Sequence, residues 1–171
     1  ASLRFGYNSF EKGFEAYYSI VNNNFGILQL SHIGNVNDLV QAINSSEPRN
    51  TEDFSHKIEN PKQTILHHLG KIEAYKRFKG FGKLSVQYDF QLNRRKEYDL
   101  GRGNRENTPV IDLRLFTTSI QPNLHIDFLP NVKFDVGLLG RFQQNNAVAG
   151  TRSRPLIPDY EKIDAAVYSI G

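Results

Sequence analysis

The chain has 171 residues, 21 basic against 18 acidic for a formal charge of +3, and 39% apolar content, enough for one domain with a sizeable core. Its mean hydropathy is −0.50 and its longest apolar run, counting glycine, is the five residues Val136 to Gly140; membrane-spanning helices need ~20 and are excluded, while 12% aromatic residues argue against disorder. The absence of cysteine removes disulfide frameworks, Cys-type zinc sites and thiol nucleophiles, and the pI near 9.1 is too mild to mark a nucleic-acid binder.

Period-two alternation dominates, as half-exposed strands require. Leu3, Phe5 and Tyr7 share a face in a strand over 3–9, and Phe14, Ala16, Tyr18 and Ile20 share one in a strand over 14–33, with Glu11-Lys12-Gly13 as the turn between them. A short helix follows over Asn37 to Ile43, capped by Asn37 or Asp38, with Leu39, Val40 and Ile43 on one side. The charged stretch Ser45 to Asn60 reads as solvated loop. Strands over 66–78 and 82–98 flank the turn Lys79-Gly80-Phe81.

The 82–98 strand alternates most cleanly. Leu84, Val86, Tyr88, Phe90 and Leu92 interleave with Ser85, Gln87, Asp89, Gln91 and Asn93. In the strand over 110–128 the apolar set changes from odd (Ile111, Leu113, Leu115) to even (Pro122, Leu124, Ile126, Phe128), which predicts a bulge within Phe116 to Ser119. Leu129-Pro130-Asn131 turns into a strand over 132–145, whose apolar face runs Val132, Phe134, Val136, Leu138, Gly140, Phe142 and is mirrored by a polar face broken only at Leu139. A last strand covers 162–170. The 16 asparagines cluster, as in Asn22-Asn23-Asn24 and Asn145-Asn146, and mark turns and strand ends.

Several strands exceed the five or six residues usual in soluble sheets and reach the ~9–11 that a tilted strand needs to cross a bilayer. The connections alternate between three-residue turns and long loops over 34–65, 99–109 and 146–161, the asymmetry of outer-membrane barrels. A soluble sandwich or lipocalin also alternates its strands; strand length and one-sided loop length favour the membrane.

Ser31-His32-Ile33-Gly34-Asn35, then Asp38-Leu39, Ala42-Ile43, Asn60-Pro61-Lys62-Gln63 and His67-His68-Leu69, resemble a central part of the barrel of TonB-dependent outer-membrane receptors of Bacteroidetes type. Gln91-Leu92-Asn93-Arg94-Arg95-Lys96-Glu97-Tyr98-Asp99 with Arg102-Gly103, then Pro109-Val110-Ile111-Asp112-Leu113, resemble its next hairpin. Gln144-Asn145-Asn146 and Leu156-Ile157-Pro158-Asp159-Tyr160 resemble its following loop. The resemblance covers about residues 14–171.

It implies an all-β fold, an antiparallel transmembrane β-barrel segment with one short helix in a long extracellular loop, about seven strands of a barrel of about 22 strands. It further implies a plug, absent from this chain, and import of a scarce nutrient such as a ferric siderophore, powered through the TonB complex. An odd number of strands closes no bacterial barrel of the usual kind, so residues 1–171 are expected to be part of such a barrel domain. The expected partners are the rest of that barrel and its plug, the TonB complex, outer-membrane lipid and lipopolysaccharide, and an anionic ligand such as a ferric chelate, with no nucleic acid. A receptor-like barrel serving binding, adhesion or assembly without transport is the alternative.

The basic residues Arg94, Arg95, Arg102 and Arg105, joined by Arg152 and Arg154 in the next long loop, are the candidate ligand-binding set, since guanidinium groups fork onto carboxylate, catecholate or phosphate oxygens. His32, His67 and His68 are expected as structural hydrogen-bonding groups at the rim; adjacent His67 and His68 must point to opposite faces, which leaves no three-ligand metal site. Asp89, Asp112, Asp127 and Asp135 are expected on the polar face, with Lys133 and Arg141 placed to pair with acids on adjacent strands. Gly101-Arg102-Gly103 lacks the strand-then-helix setting of a phosphate loop, and no nucleophile signature occurs, so neither catalysis nor a cofactor is expected.

Overall fold

A computed structural model describes residues 1–27, 35–47, 55–100, 105–129 and 132–171. It is all-β apart from one short helix: strands β1 (Ser2–Asn8), β2 (Lys12–Gly26), β3 (Lys62–Phe78), β4 (Gly82–Tyr98), β5 (Ile111–Leu129), β6 (Val132–Ala147) and β7 (Tyr160–Ile170), with helix α1 (Val36–Asn44) between β2 and β3. The strands form one open antiparallel meander, each paired with its sequence neighbours. β1 and β7 are its two edges.

The register fixes which side chains share a face, because residues paired across neighbouring strands point the same way and alternate along each strand. Leu92 pairs with His68 of β3 and Phe116 of β5, Phe90 with Gly70 and Thr118, Tyr88 with Ile72 and Ile120, and Val86 with Ala74 and Pro122. The rows continue outward through Tyr18, Ala16 and Phe14 of β2 to Leu3, Phe5 and Tyr7 of β1. On the other side they reach Phe142, Gly140 and Leu138 of β6 and Ile163, Ala165 and Val167 of β7. One face is thus apolar across all seven strands. Nothing covers it among the described residues: no apolar side chain there is buried, and Phe5, Ile72, Ile120, Ile163 and Val167 are each at least half exposed.

Small residues within this face are covered by aromatic neighbours. The Phe90 ring lies over Gly70, where a Cβ would collide with it. On the opposite face Tyr75 covers Gly13 and Tyr168 covers Gly137 in the same manner. These are cross-strand pairs that replace the packing a glycine lacks.

The bulge expected within Phe116 to Ser119 is not there. β5 holds one register with β4 from Ile126 to Ile111, and its register with β6 shifts only between Ile126 and Leu129, beside the turn. The apolar set changes parity because the surroundings of each face change along an unbroken strand. Asp112 and Arg114 continue the face of Phe116, and Ile111, Leu113 and Leu115 lie on the other. Asp112 is consequently not on the polar face with Asp89, Asp127 and Asp135, as alternation alone suggested.

Several local expectations shift by a few residues: β3 begins at Lys62, not at 66, and β7 at Tyr160, not at 162. The first tight turn is Ser9 to Glu11, not Glu11 to Gly13, because Ser9 closes it: its amide and hydroxyl donate to the Lys12 carbonyl at 3.0 and 2.6 Å, and the Lys12 amide donates back to Ser9 Oγ at 3.1 Å. The helix cap is Asn35, not Asn37 or Asp38: Asn35 Oδ1 accepts from the Asp38 amide at 2.9 Å, and Asn35 Nδ2 donates to the Asp38 carboxylate at 2.8 Å. Val36, Leu39, Val40 and Ile43 of α1 are all exposed. The Lys79 to Phe81 turn stands as expected, with Gly80 at φ +68°, a conformation suited to glycine. Pro130 and Asn131 lie outside the described residues.

Candidate functional site

Both described turns, Ser9 to Glu11 and Lys79 to Phe81, and the narrow gap between Leu129 and Val132 lie at one end of the sheet, and the long connections lie at the other. Two features carry chemistry: the polar face and the long-loop end.

The polar face is a ladder of cross-strand hydrogen bonds. Asp89 accepts from Ser119 Oγ at 2.7 Å and from Gln87 at 3.3 Å. His125 meets Asp135 at 3.0 Å, Gln143 donates to Thr117 at 3.0 Å, and Asn123 donates to Tyr168 at 2.8 Å. Arg4 and Glu15 pair at 2.5 Å near the β1 edge, and Arg77 faces Asp127 at 3.9 Å near the turns. Lys133 and Arg141 make no ion pair among the described residues; the acids near them are taken by His125 and by Lys162, which pairs with Asp164 at 3.0 Å. Most of these groups are paired on a half-exposed surface, where such pairs are worth little individually, while Arg77 Nε is buried without a hydrogen bond among the described residues. No group of three metal-ligating side chains occurs among the described residues.

At the long-loop end the connections are knitted together. Asn60 Nδ2 donates to the Glu106 carbonyl at 2.8 Å, tying the loop before β3 to the β4–β5 loop. Arg152 donates from its guanidinium to the carbonyls of Asp99 and Leu100 at 3.1 and 3.2 Å, and from its amide to that of Pro109 at 3.0 Å. The Val148 amide reaches the Asp112 carbonyl at 2.8 Å and the Ser153 amide the Val110 carbonyl at 3.2 Å. The β6–β7 loop therefore lies back over the β4–β5 loop. Before β3, Lys57 pairs with Glu59 at 2.5 Å, and this hydrogen bond holds the Glu59 carboxyl below its usual range.

The six arginines expected to form one ligand-binding set are divided by this geometry. Arg94 lies on the same face as the apolar rows, one step beyond Leu92, and grips Asp112 with Nε at 3.0 Å and a terminal nitrogen at 2.7 Å. Arg95 lies on the opposite face and pairs with Glu97, which also accepts from Gln63 at 2.9 Å. Arg152 is a tie between loops. Arg105 and Arg154 are exposed at the long-loop end, and Arg102 lies outside the described residues.

His67 and His68 point to opposite faces as the alternation requires. His67 meets Asn93 at 3.3 Å on the polar face, and His68 meets the Tyr18 hydroxyl at 2.6 Å at the upper edge of the apolar one. His32 lies outside the described residues. Lys96, which adjoins Arg94 and Arg95 in the basic cluster of the sequence, and Arg114, which the sequence did not single out, share the face of Arg94: Lys96 pairs in register with Asp112, and Arg94 with Arg114. Two-residue counting from Leu92 and from Phe116 reaches both.

Comparison with protein families, with curated proteins and with solved structures finds no match to this chain.

Proposed function

We propose that this sheet is a stretch of wall of a larger antiparallel β-barrel in the outer membrane of a Gram-negative bacterium. Its apolar face meets lipid and its polar face lines the interior. The observation that carries this reading is the uncovered apolar face running through all seven strands, opposed by a polar face laced with cross-strand hydrogen bonds. A soluble sandwich or lipocalin would turn its apolar face inward onto a packed core.

Dimensions support the reading. Leu84 to Leu92 spans ~27 Å along β4 and Phe116 to Ile126 ~34 Å along β5, at ~3.4 Å per residue. A tilt of about 40° reduces these to about 20 and 26 Å, close to the ~25 Å apolar band of outer-membrane barrels. At the turn end Phe10, Phe78, Phe81 and Phe134 are all exposed, where such barrels carry an aromatic girdle. The free edges of β1 and β7 require further strands, since unpaired backbone groups in lipid cost several kcal/mol each.

Within that barrel we take the function to be import of a scarce, anionic nutrient such as a ferric siderophore by a TonB-dependent receptor. The support is the resemblance described above, with Arg105 and Arg154 exposed among the long loops at the proposed outer mouth. The test is uptake of ferric chelates by cells making the whole protein, with and without a functional TonB system. TonB-dependent uptake, weakened more at low than at high salt when Arg105 and Arg154 are replaced by Gln, is the expected result. A protein found in the outer membrane that supports no uptake of any anionic chelate would leave adhesion or assembly as its role.

A further inference from the structure

The β4–β5 and β6–β7 loops are held by more than their strand ends. Arg152, midway along the β6–β7 loop, grips both legs of the β4–β5 loop. Its guanidinium donates to the carbonyls of Asp99 and Leu100, just past the end of β4, at 3.1 and 3.2 Å. Its amide donates to the carbonyl of Pro109 at 3.0 Å, and the Ser153 amide to that of Val110 at 3.2 Å, just before the start of β5. The legs themselves meet where the Val110 amide donates to the Glu97 carbonyl at 2.7 Å. From the other side Asn60 holds the same loop through the Glu106 carbonyl at 2.8 Å.

Every acceptor in this clamp is a backbone carbonyl, so it binds a cation without neutralising it. Arg94 and Arg95, by contrast, each hold a carboxylate, Asp112 and Glu97. Two acids of the loops serve the backbone: the Asp99 carboxylate accepts from the Leu100 amide at 2.7 Å, and that of Asp159 from the Ala147 amide at 2.6 Å. The remaining acid, Glu106, is exposed, as are Arg105 and Arg154. None of Arg105, Arg152 and Arg154 forms an ion pair among the described residues. Both exposed arginines adjoin clamped backbone. Arg105 precedes Glu106, and its own carbonyl accepts from the Thr108 amide at 3.1 Å; Arg154 follows Ser153 and lies at most ~7 Å along the chain from Arg152.

We infer that Arg152 is a positioning residue for anion capture: it fuses the β4–β5 and β6–β7 loops into one body, so that Arg105 and Arg154 meet an anion as a single preformed site. The clamp stands on its hydrogen bonds alone, and its part in capture rests on the import reading given above. Loops free to move separately would lose that freedom whenever an anion bridged them, which weakens binding. Loops already held together lose less. Arginine suits the task because its planar fork reaches two neighbouring carbonyls at once, whereas the ammonium of lysine is a point charge on a flexible stem.

Spin labels at Glu106→Cys and Leu156→Cys of the whole protein, reconstituted in bilayers, read the clamp through the distance between the two loops. The expected result is one narrow distance distribution when Arg152 is present, a broad one in Arg152→Ala, an intermediate one in Arg152→Lys, and no change in Lys133→Gln at the turn end. An equally narrow distribution in Arg152→Ala overturns the clamp. Uptake of a ferric tricarboxylate and of a ferric tris-catecholate by cells making the same Arg152 variants, without labels, reads the positioning. Arg152→Ala should raise the half-saturating concentration about tenfold, the worth of about one charged hydrogen bond, at unchanged maximal rate, and Arg152→Lys should recover part of that loss. A broadened distribution with unchanged half-saturation overturns the positioning role. Cells that take up neither chelate, although the distribution broadens in Arg152→Ala, overturn the import reading and leave the clamp standing.

Discussion

Arg94 and Asp112 lock together diagonally across β4 and β5, by Nε at 3.0 Å and a terminal guanidinium nitrogen at 2.7 Å, on the apolar face of the sheet one step beyond Leu92. The Asp112 side chain is 5% exposed and that of Arg94 34%. Removing the cation leaves a buried carboxylate with a lost charged hydrogen bond, a cost of about 1–3 kcal/mol, reduced toward the lower end by the solvent reaching Arg94. Arg94→Leu is expected to destabilise by that amount, and Asp112→Asn, which keeps an acceptor, by less. Reversible unfolding of the whole protein in lipid measures both.

Val86 stands among Ala74 and Pro122 on the apolar face, and Gln87 among Glu73 and Gln121 on the polar one. Val86→Arg should cost ~2–4 kcal/mol if the face meets lipid near its midplane, and Gln87→Arg close to nothing. The comparison uses the same unfolding assay. Equal costs at the two positions contradict the assignment of faces.

The Phe90 ring occupies the space that a Cβ at Gly70 would need. Gly70→Ala is expected to destabilise by about 1–3 kcal/mol through overpacking, and most of that loss should vanish in a Phe90→Leu background. A double-mutant cycle reads the coupling directly. Additive effects would mean that the ring simply moves aside.

Leu156 is 95% exposed in the loop between β6 and β7, and Lys79 precedes Gly80 in the turn between β3 and β4. With no native cysteine to interfere, Leu156→Cys should react with an impermeant thiol reagent on intact cells while Lys79→Cys should not. The reverse pattern would place the short turns outside. Lys79 is the better probe position, because the positive φ of Gly80 disfavours any side chain.

Alternation made the strands legible from sequence. The runs around Val86 and Val136 have only one periodicity, and their strands lie where that periodicity puts them. Alternation could not say where along a strand the surroundings of a face change, so the odd-to-even switch in β5 read as a bulge when it marks the upper edge of the apolar band. The same blindness placed Asp112 on the wrong face. Alternation does set Arg94 and Arg95, neighbours in sequence, on opposite sides of the sheet; what it could not show is that each already holds an acid, Asp112 and Glu97. Arg152 looked like a ligand-binding group because its bonds to Asp99 and Leu100 join segments more than fifty residues apart, which no local pattern reveals. The Ser9 turn and the Asn35 cap were displaced by a few residues, the scale on which side-chain hydrogen bonds rather than hydropathy choose an element's end.

The central claim is that the face of Leu84, Val86, Tyr88, Phe90 and Leu92 meets lipid while that of Ser85, Gln87, Asp89, Gln91 and Asn93 does not. Spin labels placed singly along residues 84 to 93 of the whole protein, reconstituted in bilayers, test it most directly through their collisions with oxygen and with a water-soluble nickel chelate. The account predicts a period-two oscillation, with oxygen access high at even positions and low at odd ones, and nickel access out of phase with it. Uniform access to the nickel chelate at all ten positions, or oxygen maxima at the odd ones, would contradict it.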